Sequence, residues 1–578
     1  MYSFIELKNG LKNNIDKPPV KLVILGNVAT QLLATAIEGN AKLEGINLEV
    51  FDADYNQTAF QLMDTQSETY AFQPNFILLY EAADKLYEEF LDEDGTGRRN
   101  FADRVMERIV GFWGMVSQNT NAKILQCNFT EICDRAFGSY SCKTDVSFTF
   151  QIRKLNFLLQ QAMAGHSFVY PVDLLSLQLQ MGTDKWHNSA LYYDTKLTCD
   201  MNALPYFSKC VVDVLKAMNG RVKKCVALDL DNTLWGGVIG DDGIGGIEIG
   251  ELGKGHAYAN LQRWLKQLKE RGVLLAVCSK NDEDKAKEPF EKHEEMILKL
   301  SDISMFVANW NDKAANIRLI QESLNIGMDS MVFIDDNAFE RNLVRELIPE
   351  ITVPELPEDP ADYLDFLQAE NLFETVSYSD EDRGRTKQYQ AEFKRKDMQS
   401  MVASFEDYLK SLNMTGGMKE FEPDKFARIA QLTQRSNQFN LRTVRYTEDD
   451  IKRISEDDNY ITAYCTLKDK FGDYGLVSVL ILEKRPDGEA FVDTWLMSCR
   501  VLKRSMEEFI INSLVGLVKK SGLTRIMGEY IQTAKNSMVS DIYPRMGFEP
   551  LGNGRYSLEI NGFKTLQTYV GGSENEQG

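Results

Sequence analysis

The sequence predicts an α/β protein of several domains. Short, apolar, β-rich runs alternate with amphipathic helical stretches along most of the chain, the pattern of parallel sheets joined by helical crossovers. At 578 residues the chain is too long for one hydrophobic core. Its composition, 43% hydrophobic and 26% charged, is ordinary for globular domains.

The first segment, 1–220, opens with a polar lead and then the apolar run Val20-Lys-Leu-Val-Ile-Leu-Gly26. Phe76–Tyr80, Lys123–Gln126 and Phe168–Val172 read as further strands, and Phe101–Gly114 as a helix between them. The second segment, 221–375, repeats the alternation with Cys225–Asp229, Val273–Cys278, Met305–Ala308 and Met331–Asp335, each short enough and apolar enough for a strand covered on both faces. Pro349–Asp365, rich in Pro, Glu and Asp, reads as a linker. The third segment, 376–571, starts with a charged helical stretch near Tyr378 and turns α+β. Tyr460–Leu467, Gly475–Leu482 and Ala490–Met497 read as an antiparallel sheet. The last residues, 572–578 with Gly571 before them, read as a disordered tail.

A formal net charge of −21 with no strong basic patch argues against a nucleic-acid partner. The short basic stretches Lys394-Arg395-Lys396 and Lys503-Arg504 read as solvated helix faces, able at most to touch a small anion or an acidic carrier protein. No apolar run approaches the roughly 20 residues that span a bilayer, and the polar N-terminus lacks a signal-peptide core. The expectation is a cytoplasmic protein without a membrane partner. Nine cysteines, scattered and without a CxxC pair, fit free thiols in a reducing compartment.

The strongest chemical signal is Val226-Ala-Leu-Asp-Leu-Asp-Asn-Thr-Leu234. A buried strand delivers Asp229 and Asp231 at its carboxyl end, where open α/β sheets place ligands. One carboxylate can attack phosphorus while the other serves as general acid and then base. Val277-Cys-Ser-Lys-Asn281 adds the Ser279 hydroxyl for a phosphoryl oxygen. Asn311-Asp-Lys-Ala-Ala-Asn316 places Lys313 at a helix start, where its charge can neutralise phosphate and nucleophile. Phe333-Ile-Asp-Asp-Asn337 ends a strand with Asp335 and Asp336, oxygen ligands suited to a hard cation. Phosphoryl transfer rests on positioning and charge neutralisation, and this set supplies both. Solvated loop carboxylates are the bland alternative, disfavoured by four elements in the right order.

These motifs resemble the haloacid dehalogenase (HAD) superfamily, which has a Rossmann-like α/β fold. The resemblance implies Asp229 as phosphoryl-accepting nucleophile and Asp231 as acid/base, with the Asp231 backbone carbonyl also on the metal. It implies Ser279 and Lys313 as phosphate binders, and Mg²⁺ held chiefly by Asp335 with Asp336 supporting it. No large cap insertion separates Asp231 from Ser279; the glycine-rich flap Trp235-Gly-Gly-Val-Ile-Gly-Asp-Asp-Gly243 stands there instead. Asp229-Leu-Asp-Asn-Thr-Leu-Trp-Gly-Gly-Val238, Phe333-Ile-Asp-Asp-Asn-Ala-Phe-Glu-Arg341, Gln434-Arg-Ser-Asn-Gln-Phe-Asn440 and Ser498-Cys-Arg-Val-Leu502 look like the FkbH-like subgroup, subfamily IIIC. That resemblance implies capture of an acyl phosphate, 1,3-bisphosphoglycerate, its dephosphorylation, and loading of the glyceryl unit onto an acyl carrier protein in polyketide biosynthesis.

The C-terminal segment resembles a GNAT acyltransferase. Asn536-Ser-Met-Val-Ser-Asp-Ile-Tyr-Pro-Arg-Met-Gly-Phe548 matches its late helix and places Tyr543 where such enzymes often hold a thiolate-protonating acid. Arg500-Val-Leu-Lys-Arg-Ser505 lacks the glycines of a pyrophosphate loop, although Arg500, Lys503 and Arg504 are candidates to bind a carrier's phosphopantetheine. Cys499, beside Arg500, is the candidate acyl-accepting thiol, with Cys278 its rival; filling the sheet as a small buried residue is the alternative for each. The N-terminal segment resembles SGNH hydrolases in outline. It carries Gly26-Asn27-Val28 at the nucleophile position and Asp184-Lys-Trp-His187 later, and reads as non-catalytic. Besides the glyceryltransferase, a plain HAD phosphatase acting on a small phosphorylated metabolite and a carrier-binding scaffold with little turnover remain open.

Overall fold

The computed structural model describes residues 1–378, 386, 395 and 404–572, leaving the side chains of Asp487 and Cys499 outside the description. The chain divides into two units, Met1–Ala217 and Met218–Gly578.

In the first unit the apolar runs become β1 (Val20–Gly26), β3 (Phe76–Tyr80), β4 (Lys123–Cys127) and β5 (Val169–Val172), joined by β2 (Leu48–Asp52). All pairs are parallel, in the order β2-β1-β3-β4-β5. The sequence reading overlooked β2, and its burial shows why. Only Leu48 of the five residues is buried, since an edge strand has no need of a continuous apolar run. The helix predicted to end at Gly114 runs on to Asn119, with Trp113 fully buried on its core face.

The second unit contains two sheets. The first is parallel: β6 (Cys225–Leu228), β7 (Leu274–Ser279), β8 (Ile303–Ala308) and β9 (Met331–Ile334), ordered β8-β7-β6-β9. Every residue of β6, β7 and β9 is buried, as expected for strands covered on both faces. The segment read as a linker is instead bound to this sheet. The Phe333 N–H donates to the Thr352 carbonyl at 2.9 Å, Leu356 is buried, and Tyr363–Ala369 is a helix. Its Pro and acidic residues lie on a closely applied strap, whose apolar anchors are too sparse to read as an element.

The other sheet has nine strands: β10 (Met414–Lys419), β11 (Phe439–Asn440), β12 (Tyr460–Asp469), β13 (Gly472–Arg485), β14 (Glu489–Met497), β15 (Arg525–Glu529), β16 (Glu549–Gly552), β17 (Arg555–Glu559) and β18 (Val570–Gly572). The three strands read from the sequence, β12, β13 and β14, pair antiparallel as expected, while the sheet as a whole is mixed, because β14 pairs with β15 and β10 with β18 in parallel. Gly571 and Gly572, read as tail, belong to β18. Parallel pairing of β14 and β15 is confined to Glu489–Phe491 with Arg525–Met527. Beyond it, β11 pairs with Leu496 and Met497 of β14. The Leu441 carbonyl accepts from the Ile531 N–H at 2.9 Å, so residues 439–441 fill the gap where the two strands diverge.

The charged stretch predicted from Tyr378 falls almost wholly outside the described residues. Of Lys394-Arg395-Lys396 only Arg395 is described, and it is no solvated face. It is 1% exposed and donates through Nε and Nη2 to both oxygens of Asp469 at 2.7 Å. Arg504 is buried as well, 3.6 Å from Asp469 and bonded to the Tyr474 hydroxyl. Asp469 ends β12 and also accepts from the Phe471 and Gly472 N–H groups at 2.8 and 3.1 Å. Burial would raise its pKa, but Arg395 leads the interactions that hold it below the ordinary carboxylate value. Replacing Asp469 by Ala takes a shared carboxylate from two buried guanidinium groups and is expected to destabilise the second unit by about 3–5 kcal/mol. Urea unfolding followed by circular dichroism checks this, and an unchanged midpoint would refute the central role given to Asp469.

Candidate active site

The candidate site is assembled at the carboxyl ends of β6, β7 and β9. Asp229 directly follows β6, and its N–H donates to the Ile334 carbonyl at 3.0 Å, which fixes it against the end of β9. Asp335 and Asp336 follow β9. Carboxylate oxygens of Asp229, Asp335 and Asp336 all lie within 4.8 Å of one another. Lys313 opens the helix Lys313–Leu324, where Asp312 caps the first turn by accepting from the Ala315 N–H at 2.7 Å. Its Nζ stands 2.9 Å from Asp229 and 2.5 Å from Asp335.

Charge explains the arrangement. Burial, then the neighbouring charge of Asp229, push the Asp335 and Asp336 carboxyls above their ordinary pKa. Burial alone would lower the Lys313 pKa, yet Asp229 and Asp335 together raise it and so favour its charged form. Three carboxylates facing one ammonium leave room for a divalent cation with oxygen ligands. Asp336 is set by Thr233, whose hydroxyl donates to it at 3.2 Å and accepts from its N–H at 3.1 Å. Arg341 donates to the Asp335 and Asp336 carbonyls at 3.0 and 2.6 Å, holding the turn that presents both side chains.

The Asp231 side chain lies apart from the trio. Its Oδ1 accepts from Trp235 Nε1 at 3.0 Å and the Ile239 N–H at 2.9 Å, and its Oδ2 accepts from Asn281 at 3.1 Å. Burial dominates these bonds and raises its pKa. Ser279, 2% exposed, ends β7 two residues before Asn281. Thr233, Trp235, Asn281 and Arg341 stood inside the motifs, but the sequence reading gave them no role. The signal for Asn281 was available, since it shares strand parity with Ser279.

Away from the sheet ends the expected residues fare differently. Cys278 is buried in β7 with Sγ 3.6 Å from the Lys313 carbonyl, and burial raises its thiol pKa. Cys499 begins a short 3-10 turn, Cys499–Val501, and its side chain is among those outside the description. Tyr543 lies in the core instead of at an accessible surface. It is 1% exposed, packed by Trp495, Phe548 and Tyr556, and pressed so closely on Gly528 that a Cβ there would meet its ring at 2.3 Å. Arg504 is buried against Asp469 and Tyr474. Lys503 is exposed with φ 61°, and its N–H donates to Glu507 at 3.4 Å. Arg500 donates to the Ser498 hydroxyl at 3.0 Å. In the first unit His187 faces Asp84 at 3.4 Å, while Asn27 accepts from the Ala82 N–H at 2.9 Å.

Comparison with known proteins adds to this geometry. Residues 21–216 match the family model for the FkbH N-terminal domain. The N-terminal part of the protein BF1531 from Bacteroides fragilis, a crystal structure containing a phosphatase domain complexed with Mg, is 45% identical over 65% of this chain and all of its own, with a TM-score of 0.63. The chain belongs to the FkbH-like family of HAD-type phosphatases. Two acetyltransferases are much more distant. The ribosomal-protein-S18-alanine N-acetyltransferase from Escherichia coli (15% identity, 25% of this chain, 94% of that one) and the spermidine N-acetyltransferase from Vibrio cholerae (14%, 26% and 96%) both have TM-scores of 0.20. Neither supports a statement about the C-terminal sheet. The search of curated proteins returned no match. Among the described residues, no helix is long and apolar enough to cross a membrane.

This FkbH-like phosphatase has a test of its Asp231 clamp. Trp235→Phe keeps the buried ring but deletes one donor to Asp231. Losing one hydrogen bond to a charged group is expected to lower kcat about 10-fold while leaving KM close to wild type, as measured by hydrolysis of a chromogenic phosphomonoester. A kcat within twofold of wild type would show that the indole N–H does not position Asp231.

Proposed function

We propose that the chain is a Mg²⁺-dependent phosphatase and glyceryltransferase. It takes an acyl phosphate such as 1,3-bisphosphoglycerate, removes phosphate, and passes the glyceryl unit to the thiol of an acyl carrier protein. The observation that carries the phosphatase half is the cluster of Asp229, Asp335 and Asp336 around Lys313. Asp229, Asp335 and Asp336, with the Asp231 backbone carbonyl, would hold Mg²⁺, which offsets negative charge on phosphate and nucleophile when bound.

The residues divide the work as follows. An Asp229 oxygen attacks the phosphorus of the C3 phosphate monoester as the bond to the C3 oxygen breaks, and Asp231 gives that oxygen its proton, while the anhydride at C1 stays intact for the thiol. Water then attacks the phosphoaspartate and gives a proton to Asp231, releasing phosphate and restoring Asp229. The raised pKa of Asp231 suits the first of these steps. Lys313 steadies charge on Asp229 and the phosphoryl oxygens, and Ser279 binds one of those oxygens.

The transfer half rests on the family likeness and on the chemistry of a mixed anhydride, whose carbonyl a thiol can attack with loss of phosphate. Cys499 is the proposed acceptor within this chain, and Arg500 and Lys503 the proposed contacts for the carrier's phosphopantetheine. Burial gives Tyr543 and Cys278 packing roles in this reading. We keep the division into 1–220 (SGNH-like, non-catalytic), 221–375 (HAD-type, minimal cap) and 376–571 (GNAT-like), in a cytoplasmic protein.

Asp229→Asn preserves shape but not nucleophilicity, so phosphate release should fall by at least about 10³-fold; release within tenfold of wild type would sink the assignment. Titrating Mg²⁺ against activity should show a larger rise in the half-saturating concentration for Asp335→Ala than for Asp336→Ala, and equal small shifts would place the ion elsewhere. For transfer, intact mass spectrometry after incubation with acyl phosphate, Mg²⁺ and carrier should find a glyceryl adduct on carrier and enzyme. Cys499→Ala should lose both adducts yet still hydrolyse a simple phosphomonoester. Normal carrier loading by that variant would mean that the carrier thiol attacks directly.

A further inference from the structure

Beside the phosphatase centre a large side chain is held out in solvent. Trp310 stands two residues past the end of β8 and three before Lys313, and it is 72% exposed. Exposure alone says little, since single apolar side chains are common on protein surfaces. Its restraint says more. The indole Nε1 donates to Asp282 Oδ1 at 2.9 Å, and Asp282 lies three residues past Ser279, the last residue of β7. The backbone just before the indole is tied to the same strand end, because the Asn309 N–H donates to the Ser279 carbonyl at 3.2 Å. Asn309 Oδ1 in turn accepts from the Asn311 N–H at 3.0 Å and from Asn316 at 2.9 Å. Trp310 is therefore anchored at its backbone and at its tip.

Asp282 gives up an ordinary task to hold it. It is the N-cap residue of the helix Glu283–Lys292, a position where aspartate commonly accepts from an N–H group of the first turn. Among the described residues its carboxylate makes no such capping bond. The connection also continues inward. The Asp282 N–H donates to Asn281 Oδ1 at 2.9 Å, and Asn281 Nδ2 donates to Asp231 Oδ2 at 3.1 Å. A backbone N–H can only donate, so the amide oxygen faces Asp282 and the NH₂ faces Asp231. An unbroken run of bonded residues leads from the indole through Asp282 and Asn281 to Asp231. In the reaction proposed above Asp231 protonates the leaving oxygen, so the leaving group extends on the Asp231 side of the phosphoryl group. That is the side on which this run sets out toward Trp310.

We propose that Trp310 is a specificity-determining residue, whose pinned indole is the wall against which the carbon skeleton of the leaving group packs. The substrate class is then a phosphomonoester with a C–H-lined or flat face beyond the ester oxygen, because an indole offers a broad apolar surface and a π face. Asp229, Lys313 and the metal read the phosphoryl group, which is the same in every phosphomonoester. Discrimination among them has to come from contacts beyond it. The proposal rests on the phosphatase reading with Asp231 as its acid, and not on transfer to a carrier.

The test compares two ligands that share a head group and resist hydrolysis, phenylphosphonate and methylphosphonate, by calorimetry on the full chain with Mg²⁺. Wild type should bind phenylphosphonate about fivefold or more tightly than methylphosphonate. Trp310→Ala and Asp282→Ala should each bring that ratio to within about twofold of unity, the first by removing the wall and the second by unpinning it. Both positions are exposed, so the two variants should melt with wild type. Equal affinity of wild type for the two phosphonates, or a wild-type ratio in either variant, would overturn the proposal. Asp229→Asn should lose hydrolysis of a chromogenic phosphomonoester while keeping the ratio. Failure of the phosphatase reading would thus appear as surviving turnover in that variant, and failure of the wall only in the affinity ratio.

Discussion

Mutual repulsion among Asp229, Asp335 and Asp336 is the constraint around which the HAD-type sheet is organised. Left to themselves in water, three carboxylates would separate; here the pairing of β6 with β9 in register, from Cys225 opposite Met331 to Leu228 opposite Ile334, brings the ends of both strands level. The hydrogen bond from Asp229 to Ile334 carries that register one residue further, into the site. Lys313 supplies part of the compensating charge from a different element, which ties the orientation of its helix to the same centre. The Arg341 guanidinium then holds the turn through the Asp335 carbonyl, and the Thr233 hydroxyl through the Asp336 N–H. Such a centre is costly to assemble and has the character of a site built for a cation.

A separate constraint operates on the acid. Asp231 is kept at the same strand end but held by an indole N–H and a backbone N–H of the flap and by the Asn281 amide beyond β7. Two carboxylates two residues apart thus have unlike surroundings, one ion-paired and one clamped by neutral donors, which is how chemically identical groups come to divide nucleophile and acid roles. The flap that supplies two of these donors stands where a large cap would be inserted, so the segment that replaces a cap positions Asp231.

Much of this was legible because the parallel sheets are buried on both faces. Continuous apolar runs marked β6, β7 and β9 to within a residue, and polar residues just past them marked the site. Legibility failed where pattern and environment part company. The edge strand β2 buries one residue of five and left no trace. Arg395 and Arg504 looked like surface charge because nothing local in the sequence reveals Asp469, which lies 74 and 35 positions away; only the folded sheet brings the three together. Parallel pairing of β14 with β15 was equally hidden, since strand direction is set by a crossover and not by the residues of either strand. Tyr543 shows the opposite error. Its motif suggested an accessible hydroxyl, whereas the close approach of Gly528 sinks the ring into the aromatic core. Clamp residues such as Trp235 and Asn281 escaped because their roles depend on where the flap folds back.

The short strand β11 has a consequence of a different kind. Where β14 and β15 part, each would present a row of unsatisfied backbone donors and acceptors in the interior of a long sheet, an invitation for any extended polypeptide to insert. Residues 439–441 answer those groups from within the chain, through Asn440 opposite Leu496 and the Leu441 carbonyl under Ile531. The sheet therefore keeps its exposed margins at β16 and β18, and the break in its middle offers no template on which a stray strand could nucleate adhesion between molecules.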